Sequence, residues 1–216
     1  MTDSVADKIE SELSKYPKRS YPKGQILIFA DETPDYIFYI TKGRVRKYDV
    51  SSRGDEVIVN IFKPPAFFPV SEAINHTPNK YFYKTEVATE LHVVPSGVVL
   101  EFLKNNPDVM LDLLSRMYRG MDGLLGRVVQ LMSGSAKSRL LYELLIECRR
   151  FGKRNDDGTY ILDITEVDLA ARAGMSRETV SREMKLIKTS GLVELHNKNI
   201  LIKDLAALEV KVSSEY

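Results

Sequence analysis

TEVDLAARAGMSRETVSREMKLIKTSGLVEL, residues 165–195, carries two helix signals separated by a single glycine. Thr165 can cap the first helix, and Glu166 and Asp168 fall in its first turn, where the helix dipole favours acids. Leu169, Ala170 and Ala173 line the inner face, and the small residues let a second helix cross closely. Gly174 can adopt the left-handed conformation that ends a helix, and Ser176 can cap the next one. Ala170, Gly174 and Val180 have the small–glycine–aliphatic spacing of a helix-turn-helix, and Gly191 stops the second helix after Ser190.

At 100° per residue, Val180, Met184 and Ile187 of the second helix cluster on one side and are expected to pack inward. Arg177, Glu178, Ser181, Arg182 and Lys185 cover a contiguous arc of about 140° facing away, and the capping Ser176 joins them as a DNA-binding candidate. Arginine can donate two hydrogen bonds to guanine, glutamate can accept from cytosine, and serine can bond a base or a phosphate. A lone basic helix would read equally well as a solvated face. The turn geometry ahead of this one selects a DNA-reading helix.

Downstream, LVEL and ILIKD flank His196-Asn197-Lys198-Asn199 and read as a β-hairpin, the wing of a winged helix, with Lys198 placed for a phosphate contact and His196 as a turn residue. Upstream, a helix is expected from Ala136 to about Phe151, with Cys148 on its apolar stripe as a buried thiol. TYILDI follows as a short strand, and Ser133-Gly134-Ser135 reads as a hinge.

Ahead of the hinge, Pro107 opens a long helix to about Met132. Met110, Leu114, Met117, Met121, Leu124, Val128 and Leu131 form an alternating four-three seam, and Leu111, Tyr118, Leu125 and Met132 repeat beside it. One helix buried on its own domain would explain one row. Two adjacent rows favour a partner helix, so a homodimer is expected. Gly120, Gly123 and Gly126 each cost about 1 kcal/mol in a helix interior, so they mark a close approach, a flexible point or mere tolerance.

From about Tyr21 to Val94 the chain reads as β: QILIFA, YIFYIT, VRKYDV, EVIVNIF, YFYKTEV and LHVV, punctuated by Gly and Pro turns. Many short strands at this spacing suggest a barrel or jelly roll. A short amphipathic helix with Val5, Ile9 and Leu13 precedes them, and another spans Pro95 to Asn106.

Composition limits the alternatives. The 216 residues are 44% hydrophobic and 28% charged, values of a globular chain. No apolar run approaches the roughly 20 residues of a membrane span, and the acidic, polar start does not resemble a secretory signal, so a cytoplasmic location without a membrane partner is expected. One cysteine excludes an intramolecular disulfide or a cysteine-only metal site, and three scattered histidines are too few for a multi-histidine metal centre. No nucleophile–base pair stands out, so no catalytic residue and no enzyme is expected. The net charge of +1 says nothing about DNA, leaving that signal to local placement.

SRETVSRE after LAARAGM, behind the heptad helix and the glycine-punctuated β region, resembles the Crp/Fnr family of bacterial transcription regulators over about Lys15 to Ile202. The resemblance implies an α+β chain: an N-terminal double-stranded β-roll of the cyclic-nucleotide-binding type (1–106), a dimerisation helix and hinge (107–134) and a C-terminal winged helix-turn-helix (135–216). Gly24, Gly43 and Gly54 fall where that roll makes its turns. By position, Arg177, Glu178 and Arg182 match the base-reading residues of the cyclic-AMP-receptor-like branch, and Glu178, Ser181 and Arg182 those of the oxygen-sensing branch. The implied partners are double-stranded DNA with an inverted-repeat operator, a second copy of the chain, and RNA polymerase.

The effector region departs from the pattern. Family members that bind cyclic nucleotides carry a Gly-Glu pair and, about ten residues on, an Arg-Ser pair; here FFPVSEAINHTPNKYFYKTEV has no Gly-Glu, and Arg-Ser falls at about Asn79-Lys80. The adenine-contacting Thr-Ser pair would fall near Asp122-Gly123, and the N-terminal cysteine cluster of iron–sulfur sensors is absent. A lysine lacks the bidentate grip of a guanidinium. The expectation is a small-molecule effector other than cyclic AMP, with Phe68, Glu72, His76, Lys80, Phe82 and Leu124 as pocket residues. The aromatics there also fit plain strand alternation. The competing expectation is an effector-independent or architectural DNA-binding protein whose roll serves only dimerisation.

Overall fold

The computed structural model describes residues 4–196 and 199–214. The chain divides into two compact units inside the long helix, between Met117 and Tyr118.

The first unit runs α1 (Val5–Leu13), β1 (Lys18–Tyr21), β2 (Ile26–Ile28), β3 (Tyr36–Lys42), β4 (Val45–Val50), β5 (Glu56–Phe62), β6 (Ala66–Phe68), α2 (Val70–Asn75), β7 (Phe82–Thr85), β8 (Thr89–Pro95) and α3 (Ser96–Asn105), then enters α4 (Pro107–Ser133). Its strands form two four-stranded antiparallel sheets, ordered β1-β8-β3-β6 and β2-β7-β4-β5. Ser4 opens α1 with a capping box: the Asp7 amide donates to the Ser4 hydroxyl and the Ser4 amide to the Asp7 carboxylate, both at 3.2 Å.

Strand β3 shows how one sequence serves two cores. Successive side chains point to opposite faces. Ile37 and Tyr39 pack with Ile9 and Leu13 of α1 and Val99 and Leu103 of α3. Phe38 and Ile40 pack with Ile28, Val45, Phe68 and Tyr83 between the sheets. Gly43 joins β3 to β4 at φ +97°, and a Cβ there would lie 2.7 Å from the Ala88 carbonyl oxygen, so both dihedral and space require glycine. Gly24 and Gly54 also have positive φ, at the expected turns. The continuous β reading misses α2, a six-residue helix in VSEAIN; Pro69, with no N–H, ends the pairing of β6 and precedes it.

The second unit contains the end of α4, then α5 (Ala136–Phe151), β9 (Lys153–Arg154), β10 (Tyr160–Leu162), α6 (Glu166–Ala173), α7 (Arg177–Thr189), β11 (Val193–His196), β12 (Asn199–Ile202) and α8 (Leu205–Ser214). The strands pair antiparallel in the order β11-β12-β10-β9. Leu140, Leu141, Leu144 and Leu145 of α5 pack with Leu169, Val180, Met184, Ile187 and Ile200, and α8 adds Leu208 and Val212 to this core. Cys148 is buried here; burial, then Glu147, pushes its thiol up to about 11, so it stays protonated. No described helix is long and apolar enough to cross a membrane.

Candidate nucleic-acid interface and effector region

The turn between α6 and α7 is built from capping chemistry. The Asp168 amide donates to Thr165 Oγ1 at 3.1 Å to start α6. Gly174 ends α6 at φ +60°, ψ +41°, and the Met175 amide donates to the Ala170 carbonyl at 3.1 Å. The Thr179 amide then donates to Ser176 Oγ at 3.2 Å to start α7. Leu169, Ala170 and Ala173 of α6 and Val180, Met184 and Ile187 of α7 are all buried, which fixes the rotation of α7 about its own axis.

That rotation presents Arg177, Glu178, Ser181, Arg182 and Lys185 together along one open cleft of about 360 Å³. Arg177, Glu178, Arg182 and Lys185 are exposed, Ser181 is half-buried, and Ser176 is exposed at the cap. Glu178's own amide, then the Ser176 hydroxyl, hold its carboxyl below the usual carboxylate range, so it is an ionised acceptor at neutral pH. Arg182 projects with 68% of its side chain exposed, while its Nε lies 3.2 Å from Oε1 of the largely buried Glu183. Glu183 was not among the residues singled out from sequence. Its signal is an acid directly after the exposed Arg182, on the turn's inner side. Lys198, the expected phosphate contact of the wing, lies outside the described residues.

Two buried ion pairs support this unit. Arg127 of α4 donates to Glu143 of α5 through Nε at 2.5 Å and Nη2 at 2.9 Å, a bidentate grip. Arg172 of α6 pairs with Glu147 one turn further along α5. Two acids four residues apart on the leucine face of α5 were the available sequence clue.

In the first unit, the expected pocket residues Phe68 and Phe82 lie in different surroundings. Phe68 is buried between the sheets, its ring 5.1 Å from Tyr83 and 5.0 Å from Phe62, both stacked. Phe82 neighbours Tyr83 on β7 and points to the other face, where it stacks on Tyr48 at 5.3 Å. Glu72 is buried on α2; its Oε1 accepts from Lys47 Nζ at 3.2 Å and its Oε2 from Ser71 Oγ at 2.5 Å. Burial raises the Glu72 carboxyl, but Ser71 and Lys47 outweigh it and hold the pKa below the usual range. Lys47 Nζ also sits 4.4 Å from the centre of the Tyr81 ring. His76 ends α2 in the left-handed conformation and is exposed, as is Lys80. Leu124 belongs to the second unit, where it is exposed on α4.

Asn79, at about the place where the family resemblance puts the phosphate-gripping arginine, is fully buried. Its Nδ2 donates to the carbonyls of Phe29, at 2.9 Å, and Tyr81, and its Oδ1 accepts from the Tyr81 amide at 3.1 Å. Its backbone bonds Glu32 and Asp31. This side chain ties two loops together and has little capacity left for a ligand.

Residues 18–106 match the family described as "Cyclic nucleotide-binding domain" and residues 138–210 that described as "Crp-like helix-turn-helix domain". The chain is 26% identical over 215 residues to the global nitrogen regulator of Synechocystis sp. strain PCC 6803, covering 95% of this chain and 92% of that one. It is 24% identical over 192 residues to the cAMP-activated global transcriptional regulator CRP of Haemophilus influenzae, covering 88% and 83% respectively. Its fold is shared with a CRP/FNR-family transcriptional regulator from Thermus thermophilus, with a TM-score of 0.74, 21% identity, and 93% and 100% of the two chains covered. It is shared also with a CooA mutant from Carboxydothermus hydrogenoformans, with a TM-score of 0.79, 20% identity, and 98% and 97% covered.

Proposed function

Because the chain belongs to the Crp/Fnr family of DNA-binding transcription regulators, we propose that it acts as a homodimer reading an inverted-repeat operator, one α7 per half-site. The observation that carries this reading is the arc of Arg177, Glu178, Ser181, Arg182 and Lys185, held outward by the buried Val180, Met184 and Ile187. Two-fold symmetry would place the two helices in successive major grooves, with half-site centres about 34 Å or 10–10.5 base pairs apart.

Support for the dimer comes from α4. Leu114, Met117, Met121, Leu124, Val128 and Leu131 are exposed along it, and Leu111, Tyr118, Leu125 and Met132 are exposed beside them, with Met110 half-buried at the seam's start. So many large apolar side chains in water on one helix favour a partner helix over solvent. Family membership also keeps RNA polymerase as a partner.

For the β-roll, the reading is a gate operated by a small molecule other than cyclic AMP. Asn79 is committed to the backbone, which supports leaving cyclic AMP out. The second reading, DNA binding without any effector, is favoured by the Lys47–Glu72 pair and by the Phe62–Phe68–Tyr83 stack in the core of the roll. Native mass spectrometry of the purified protein, followed by DNA binding before and after removal of any bound molecule, separates the two. Operator affinity that depends on a co-purifying molecule supports the gate. Full affinity of ligand-free protein supports the second reading.

A further inference from the structure

Among the three glycines inside α4, only Gly126 has a neighbour within reach of an added Cβ. A Cβ at Gly120 or Gly123 would meet open space, whereas one at Gly126 would lie 1.8 Å from the Tyr142 hydroxyl oxygen and 2.5 Å from Cζ. Tyr142 of α5 therefore lays its ring into a notch that only glycine leaves open, and its hydroxyl donates to the Gly123 carbonyl at 3.3 Å. The next residue of each helix adds the bidentate Arg127–Glu143 pair. Just past the end of α4, Gly134 lets the chain close over Gln130, since a Cβ there would be 2.5 Å from the Gln130 carbonyl oxygen and 2.6 Å from Ser138 Oγ. The Gly123–Arg127 turn of α4 is thus held by two successive residues of α5, Tyr142 and Glu143. The Ser133-Gly134-Ser135 segment lies beside a fitted contact.

We propose that Gly126 and Tyr142 are positioning residues for operator recognition: their notch fixes the rotation of the DNA-binding unit on the end of α4 and so sets the half-site spacing that the dimer accepts. This rests on the homodimer proposed above. A fixed rotation in each copy fixes the separation and phase of the two recognition helices, so a site one base pair too long or too short meets them out of register. Alanine at 126 collides only with the far end of one side chain, so the ring turns out while α4, gaining helix propensity, persists.

The test measures binding of the full-length protein to operators whose half-sites are moved apart or together in steps of one base pair. Wild type should prefer one spacing. Gly126→Ala, and Tyr142→Ala as a second variant that empties the notch from the other side, should remain dimeric. Both should narrow the affinity gap between the best spacing and its neighbours by about tenfold, the coupling expected of a tightly packed pair. Tyr142→Phe keeps the ring in the notch and should keep the wild-type profile. A general loss of stability would weaken all spacings alike and leave that gap unchanged. Dimeric, folded Gly126→Ala and Tyr142→Ala proteins with the wild-type spacing profile would overturn the latch alone. A monomeric wild type, or one indifferent to spacing, would overturn the dimer reading and the latch with it.

Discussion

Replacing Arg182 by alanine should cost the protein both affinity and selectivity, by an amount the geometry bounds. Its side chain is 68% exposed and Glu183 engages Nε at 3.2 Å, which in the proposed reading leaves the outer edge of the guanidinium for a base. A bidentate arginine–guanine contact discriminates by about 1–3 kcal/mol. A symmetric operator presents it twice, so Arg182→Ala should weaken the preferred site by about 2–6 kcal/mol, roughly 30-fold to 20,000-fold. Glu183→Gln should cost far less, about 0.2–1 kcal/mol per copy, because the ion pair that braces Arg182 is largely solvated on the arginine side. Competition binding at fixed salt, against operators changed at one base pair per half-site, measures both effects. Arg182→Ala should flatten discrimination at one symmetric pair of positions and preserve it elsewhere. If the variant instead weakens every sequence alike and the salt slope falls by about 1 per copy, Arg182 holds a phosphate and the base-reading assignment is wrong.

Leu124→Glu or Val128→Glu should give monomers that lose operator binding; both side chains are exposed on the single chain, their burial in the proposed interface would be worth about 1.5–3 kcal/mol per copy, and sedimentation that still reports a dimer would place the interface elsewhere. Isothermal titration with cyclic AMP should show no low-micromolar binding, because Asn79 stands committed to backbone where a guanidinium would be needed; a low-micromolar isotherm would refute this. Glu72 has a folded pKa below its unfolded value, so its contribution to stability is present above the unfolded pKa and is lost as pH falls through the folded one. Melting temperature against pH should therefore fall less steeply on the acid side for Glu72→Gln than for wild type, and identical acid limbs would show that the Lys47 pair adds nothing.

Local signals with unambiguous physics were legible in the sequence. Thr165, Gly174 and Ser176 specify caps and a left-handed turn that depend on neighbouring residues alone, and the structure places all three as read. The reading arc followed, because burial of Val180, Met184 and Ile187 dictates which face remains. Residues whose role depends on distant chain were not legible. The burial of Asn79 comes from loops around Phe29 and Glu32, some fifty residues away. Phe68 and Phe82 read alike as aromatics near one pocket, yet opposite pleat directions send them to different faces. Gly126 carried a cost without a visible reason until Tyr142, sixteen residues on, occupied the space. Helix α2 hid because six residues following a proline show too little periodicity to compete with surrounding strands.

The ionised Glu178 among the cations of α7 bears on how such a protein would travel through a genome. In the proposed reading, phosphates would attract Arg177, Arg182 and Lys185 wherever the duplex is met, but a carboxylate at the same face would be repelled by the DNA's negative charge until a cytosine amine received it. Every wrong site would then be released sooner. The near-neutral chain, with a net charge of +1, adds little general attraction to delay that release. Time lost on foreign sequence would shorten, and the search for an operator would proceed by brief visits rather than long residence.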